Sequence, residues 1–279
     1  MSFLKNSSLR CPLDQLPLQC LDNTLTCEQG HSFDVARQGY VNLLAASEKR
    51  SKDPGDGKEM VRARRDFLNA GHYQPIADTL VKLVEPFLRD DSAIVDAGCG
   101  EGYYLQQVMQ SAMATKLSSL AIVGFDISKW AVQLAAKRLS ATWLVASNRN
   151  IPIADHGADV LLSIFGFPAY SSFRRVLQPE GALILVNAGP RHLVELREII
   201  YPQINESVSS ELEQAQEGGF TLLNTQSLTF QTKPLQQSQV SQLLSMTPHF
   251  FRATQAGREQ AQALNDFSVT VDVNFHVLR

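Results

Sequence analysis

The stretch Ile94-Val95-Asp96-Ala97-Gly98-Cys99-Gly100-Glu101-Gly102-Tyr103-Tyr104 limits the fold most, because it runs an apolar strand through a glycine turn and into a helix. Without Cβ atoms at Gly98 and Gly100, the backbone can approach a ligand closely and take angles closed to other residues. A dinucleotide fingerprint would place its third glycine where Tyr103 stands, since close packing of helix on strand needs it there. The spacing is instead Gly-x-Gly-x-Gly. It suits a nucleotide-like cofactor and disfavours a pyrophosphate cradle.

Leu120-Ala121-Ile122-Val123-Gly124-Phe125-Asp126 reads as a second parallel strand ending in a carboxylate. Asp126 there can accept both hydroxyls of a ribose. With Asp96 and Glu101 it makes the crevice negative, which favours a cationic sulfonium and repels phosphates. Together with the following helix, these residues resemble the class I S-adenosylmethionine-dependent methyltransferases. The resemblance implies an α/β, Rossmann-like fold with a mostly parallel, seven-stranded sheet. The alternative is an α/β domain whose acids are incidental strand ends.

A chain of 279 residues, 44% hydrophobic and 19% charged, can hold one large α/β domain and a small appendage. Its longest nearly uncharged apolar stretch, around Val160 to Phe173, is shorter than the roughly 20 residues of a spanning helix, so no membrane segment is expected. The first residues carry no apolar core of signal-peptide length. A cytoplasmic location is the expectation.

A net charge of −3 gives no global attraction to nucleic acid. Charge is distributed unevenly, however. Between Lys49 and Arg65 seven bases (Lys49, Arg50, Lys52, Lys58, Arg62, Arg64, Arg65) face three acids (Asp53, Asp56, Glu59), enough to track a phosphate backbone or simply to solvate a helix and loop.

The organisation expected is a small zinc-ribbon-like module over 1–45, a basic helical linker over 46–75 and a cofactor-binding domain over 76–279. Ser51 to Gly57 is a loop by its Pro, Gly and Asp content. Lys58 to Ala70 is helical with Met60, Ala63, Phe67 and Leu68 on one face, and Ile76 to Phe87 is a second helix. Strands are expected near 93–97, 120–125, 142–146, 158–164 and 181–187, and helices near 102–113, 128–139, 169–177 and 191–202. Alternating strand and helix predicts a parallel sheet covered on both faces. Phe220 to Thr229 and Phe267 to Leu278 alternate with period two and suggest antiparallel pairing near an edge.

Cys11, Asp14, Cys27 and His31 form a C-x2-D-x12-C-x3-H pattern, a spacing that suits one tetrahedral zinc. A module this small rarely buries enough surface to fold alone. Asp14 stands where a cysteine is expected, and a carboxylate is harder than a thiolate, so zinc affinity should fall. Cys20 could replace it only if its loop folds back. Without metal, the module would be held by Leu16, Leu25, Phe33 and Val41.

The cysteine module, Phe33-Asp34, Gly39-Tyr40-Val41-Asn42-Leu43-Leu44 and Arg50-Ser51-Lys52-Asp53-Pro54-Gly55-Asp56 resemble the start of the large-subunit ribosomal RNA guanine-N1 methyltransferase family, RlmA. Ala63-Arg64-Arg65, Phe67-Leu68, Ala70 to Pro75, the glycine turn and Gly189-Pro190-Arg191-His192-Leu193 extend the likeness over nearly the whole chain. It implies an N-terminal zinc-binding domain that helps recognise 23S ribosomal RNA and a catalytic domain that binds S-adenosylmethionine, often in a homodimer. It implies cofactor contacts at Tyr73, Gly100, Glu101 and His192, added to Asp96, Gly98, Gly102 and Asp126, and zinc ligands at Cys11, Cys27 and His31. Asn148, at the end of the third strand, could meet the adenine edge or belong to a simple turn. Members act on either of two nearby guanines in one hairpin; the 745 type is expected here over the 748 type.

The chemistry implied is in-line methyl transfer to guanine N1, with positioning supplying much of the acceleration. N1 must lose a proton, so a base or a group stabilising charge on O6 should help. His192, Asp155 and His156 are the candidate acceptors, and none is singled out. Ser163-Ile164-Phe165-Gly166-Phe167-Pro168 stands where enzymes methylating exocyclic amines carry Asn or Asp with Pro-Pro and an aromatic, which argues against amino-group methylation. Phe165 and Phe167 could stack on a flipped base or be core aromatics. A small-molecule methyltransferase and a non-catalytic RNA-binding protein are the competing functions.

Overall fold

The computed structural model describes every residue except 1, 2, 5, 50, 116, 118, 202–210 and 250–252. Three short strands, β1 (Gln19–Leu21), β2 (Thr24–Thr26) and β3 (Ser32–Asp34), form a small antiparallel sheet. β4 (Tyr40–Asn42) follows, then helices α1 (Lys58–Asn69) and α2 (Gln74–Val84). The alternating region contains β5 (Ala93–Ala97), α3 (Tyr103–Ala114), β6 (Ala121–Asp126), α4 (Lys129–Arg138), β7 (Thr142–Val145), β8 (Ala158–Ile164), α5 (Tyr170–Val176), β9 (Leu177–Ala188) and α6 (Val194–Ile200). Then come α7 (Glu211–Glu217), β10 (Leu222–Gln231), α8 (Gln237–Ser245), α9 (Gln255–Gln262) and β11 (Thr270–Leu278).

The main sheet runs β10-β11-β9-β8-β5-β6-β7-β4, parallel from β9 to β4, with β11 antiparallel to both of its neighbours. The five expected parallel strands and the two alternating edge segments are all present. The sheet differs from the expected seven strands by an eighth, β4, which pairs Tyr40, Val41 and Asn42 with Trp143, Leu144 and Val145. A division at residue 45 therefore does not coincide with the sheet, because β4 comes from the N-terminal segment.

No helix connects β7 to β8. The sheet face left bare there is covered by the N-terminal module: Leu9, Cys11, Leu18, Leu25 and Cys27 are buried in one core with Ile151, Ile153, Val123, Phe125 and Leu161. The module thus supplies part of the catalytic domain's own core, burying side chains worth about 1.5–3 kcal/mol each. The other face packs α1 to α4, α6, α8 and α9 around Trp143, Phe67, Leu80 and Phe275. Trp143 is fully buried against Gly124, where a Cβ would collide with its ring, so truncating it to Ala should cost about 3–5 kcal/mol.

Three expected helices differ in detail: α2 runs Gln74–Val84 rather than Ile76 to Phe87. In α1 the buried face is Val61, Phe67 and Leu68, with Val61 rather than Met60 inside. α6 begins at Val194 rather than 191, because Arg191 N–H bonds the Asp272 carboxylate and Leu193 N–H bonds the Thr270 carbonyl, holding the preceding turn on β11. The end of that expected helix, residue 202, lies outside the described residues. Among the described residues no helix is long and apolar enough to cross a membrane.

Candidate active site and metal centre

The glycine turn follows the carboxyl end of β5, beside that of β6, the position at which parallel α/β sheets bind ligands. Gly98, Gly100 and Gly102 all have positive φ (80°, 55° and 81°), so the turn demands glycine at each. A Cβ on Gly98 would point into open space, whereas one on Gly102 would press on Trp143 and Ala135. Gly98 therefore faces open space, and Gly102 allows α3 to close on the sheet. Asp126 accepts the Gly100 N–H at 3.0 Å and the Ser128 N–H at 2.7 Å, which fixes its carboxylate at the mouth of the turn.

Asp96, Glu101 and Asp126 lie close enough to feel one another's charge. Burial pushes Asp96 up to about 8, assisted by the charges of Asp126 and Glu101. Its Oδ2 is buried without a hydrogen-bond partner. Burial also raises Glu101 and Asp126, opposed at Glu101 by Arg138 and Arg64 and at Asp126 by the Ser128 N–H and Arg64. Arg138 bonds Glu101 at 3.2 Å from the far side.

A strap closes over this turn. Asp53 pairs with Lys129 at 2.8 Å and accepts the Trp130 indole N–H, Ser128 Oγ donates to the Asp56 carbonyl, and Gly55 (φ 80°) lies against Ile127 and Ser128. Arg64 bonds Asp56 at 2.5 Å and approaches Gly100. The run expected to be a basic RNA face is therefore partly committed inward. Arg64 faces the crevice, Arg65 pairs with Asp66, and Lys58 lies 5.5 Å over Trp130. Lys49, Lys52 and Arg62 stay exposed, and Arg50 lies outside the described residues.

Tyr73 is 3% exposed at the start of α2, and burial raises its phenol. Its hydroxyl lies 3.4 Å from His192 Nε2, so the structure joins these two residues across 119 positions. His192 Nδ1 accepts the Asp272 N–H at 3.3 Å. Burial and the neighbouring His249 lower His192 to about 4, so it is neutral at neutral pH with its proton on Nε2. Phe165, with φ 51°, stacks 6.0 Å from His192, and Phe167 is 90% exposed. Asn148 uses its amide N–H to hold the Phe167 carbonyl at 2.8 Å, tying the β7 loop to the β8 loop. Asp155 and His156 precede β8 and so sit at the opposite edge of the sheet. Asp155 pairs with Arg175, and His156 with the Leu177 carbonyl. Neither reaches the crevice as a proton acceptor.

Sequence reading missed Arg64, Asp56 and Arg138. The signal for Arg64 was present, since it lies three residues from Val61 and from Phe67, on the buried stripe of α1.

In the N-terminal module, Cys11, Asp14, Cys27 and His31 bring one ligand atom each within 4.8 Å of one another. Cys11 Sγ and Cys27 Sγ lie 3.5 and 3.4 Å from His31 Nδ1, and Asp14 Oδ2 lies 3.2 Å from Cys27 Sγ and 2.9 Å from His31 Nδ1. Tetrahedral zinc separates sulfur from nitrogen or oxygen ligands by about 3.5 Å, so the four atoms fit one ion. Burial pushes the Cys11 thiol up to about 11, so its thiolate requires a compensating cation. Burial acts to raise Asp14 as well, but bonds from the Leu16 N–H, Cys27, Cys11 and His31 outweigh it and hold the carboxyl at about 2. Cys20 lies outside this cluster.

The family model described as "RlmA, N-terminal" matches residues 9–52, and that described as "Methyltransferase domain" matches residues 94–181. A Streptomyces fradiae protein named 23S rRNA (guanine(748)-N(1))-methyltransferase is 38% identical over 192 residues, covering 67% of this chain and 66% of its own. Relatives bearing the 23S rRNA (guanine-N1)-methyltransferase name occur in Micromonospora griseorubida, 39% identical over 67% of this chain and 68% of that one, and in Bacillus subtilis, 30% identical over 96% and 95%. The chain belongs to the 23S rRNA (guanine-N1)-methyltransferase family.

As a methyltransferase of this family the protein depends on S-adenosylmethionine, and its crevice fits that cofactor. Asp96, Glu101 and Asp126 would hold its positive charge, Asp96 giving up its proton as its unpartnered oxygen meets the cation, and Gly98 leaves the approach open. When bound, the cofactor supplies an activated methyl group on a positively charged sulfur.

Proposed function

We propose that the protein transfers a methyl group from S-adenosylmethionine to N1 of a guanine in a hairpin of 23S ribosomal RNA. The observation carrying this reading is the neighbourhood of the acidic turn, where Phe165, the protruding Phe167 and a neutral His192 offer stacking and a fixed proton but no amine-binding Asn-Pro-Pro. In this reading Tyr73, Asp96, Gly98, Gly100, Glu101, Gly102, Asp126 and His192 hold the cofactor. Asn148 acts by fixing the Phe167 loop. Cys11, Asp14, Cys27 and His31 hold zinc.

His192 is suited to keep a proton at Nε2 rather than take one, and a donor there can stabilise charge on guanine O6 as N1 deprotonates. The exposed aromatics provide the flat surface that an unstacked base needs. The proposal includes a cytoplasmic location and a homodimer, the latter measurable by sedimentation. Tritium transfer into protein-free 23S ribosomal RNA, with the product mapped by primer extension in a strain lacking the gene, tests it. A stop at guanine 745 restored by complementation supports the finer expectation; a stop at 748 replaces it, and no N1 methylation overturns the reading.

A further inference from the structure

The seam between the N-terminal module and the catalytic sheet is an open, charged cleft. Arg10 and Gln15 form one wall and Arg149, Asn150, Asp155 and Arg175 the other, around a volume of about 620 Å³. It runs down the sheet face that has no helix between β7 and β8.

The three arginines do different things. Arg175 is structural: it donates to the Ile151 and Ile153 carbonyls and pairs with Asp155 at 2.8 Å, which offsets the cleft's acid. The Arg10 side chain donates to the Ser7 and Leu9 carbonyls and lies in the field of Asp155, whose ion pair is with Arg175, and Arg149 is exposed. Among the described residues no carboxylate forms an ion pair with either. Two guanidiniums outside any ion pair thus line one cleft from the two sides of a module boundary.

The cleft is also preformed and connected to the catalytic edge. Gln15 Nε2 donates to Asn150 Oδ1 at 3.0 Å, Asn150 Nδ2 donates to the Pro12 carbonyl at 2.9 Å, and Arg10 N–H donates to the Pro152 carbonyl at 2.9 Å. The Arg149 carbonyl accepts from Ser172 Oγ at 3.0 Å, and the adjacent Asn148 holds the Phe167 loop. Separated cations along an open groove match a polyanion. A small anion would be held by convergent donors instead.

We propose that this cleft is the track for the RNA substrate's phosphodiester backbone, with Arg10 and Arg149 each neutralising a phosphate and Arg149 leading the strand to the Phe165–Phe167 mouth. The proposal rests on the reading of RNA as substrate. It adds the module seam to the exposed linker bases Lys49, Lys52 and Arg62 as an electrostatic contact.

The test is the salt dependence of binding to a 23S ribosomal RNA hairpin fragment, measured by fluorescence anisotropy on the full chain. The double variant Arg10→Gln, Arg149→Gln should lower the slope of log affinity against log salt by about 1.5–2, the amount expected for two lost phosphate contacts. Cofactor affinity by calorimetry and melting temperature should be unchanged, and Arg10→Lys, Arg149→Lys should restore most of the slope. An unchanged slope in the glutamine variant overturns the proposal, as does a loss that lysine fails to restore. Failure of wild-type protein to methylate the hairpin would remove the substrate reading instead, while the slope comparison would still report on the cleft.

Discussion

The Arg64 guanidinium meets the Asp56 carboxylate at 2.5 Å over the glycine turn, joining the linker helix to a strap anchored on β6 and α4. Arg64 lies in the field of Asp126 and Glu101 as well, so one cation holds the strap closed and moderates the acidity of the crevice.

Breaking that pair should loosen the strap without unfolding the domain. Asp56→Asn leaves a mostly buried guanidinium without its partner, a loss of about 2 kcal/mol. Amide exchange over 53–57 should speed up while exchange in β5 and β8 stays slow. Unchanged protection in the strap would show that Asp53, Trp130 and Ser128 suffice to hold it.

Asp96 makes cofactor binding a proton-linked event. Its folded value of about 8 lies above the unfolded carboxyl value of about 3.9, so the folded chain keeps a proton that the unfolded chain releases. Its contribution to stability is therefore present below about pH 4 and is lost as pH rises to about 8. A cation beside the carboxylate favours the ionised form, so binding should expel up to one proton at about pH 7 and none above about pH 9. Calorimetry in buffers of different ionisation enthalpy measures the release. Asp96→Asn should abolish it, and net uptake by the wild type would contradict the assignment.

His192 should behave in the opposite direction. Its folded value of about 4 lies below the unfolded value of about 6.5, so the unfolded chain takes up a proton that the folded one refuses. The stability tied to its neutral form is complete above about pH 6.5 and declines toward pH 4. Between pH 7 and 5 the wild type should lose about 1–2 kcal/mol more than His192→Gln in urea unfolding. Nitrogen chemical shifts should show the Nε2–H tautomer throughout, and a protonated ring at about pH 6 would contradict this.

Much of this was legible in the sequence because strand, turn and helix are local signals. Ile94 to Tyr104 specified β5, the glycine turn and α3, and the period-two run near Thr270 specified an antiparallel strand next to the sheet edge. The missing parts depended on distant partners. Nothing around Tyr40 shows that three residues will pair with Trp143 to Val145, a contact spanning about a hundred positions. Arg64 was counted with its basic neighbours because charge is read along the chain, although its place on the apolar stripe of α1 already pointed inward. Asp155 and His156 looked available for proton transfer until the direction of β8 placed them at the wrong edge.

Cys11 and Cys27 belong both to the metal cluster and to the core shared with Val123, Phe125 and Leu161, so zinc should stabilise the whole chain. Zinc at a hundred times its dissociation constant would add about 2.7 kcal/mol. Purified protein should carry one zinc per chain, and chelation should lower a single cooperative melting transition. Asp14→Cys should tighten binding, because a fourth soft ligand replaces a carboxylate, and Asp14→Ala should weaken it. If chelation instead split the melt into two transitions, with the catalytic domain unmoved, the N-terminal module would fold as an independent body and the shared core would contribute little to its stability.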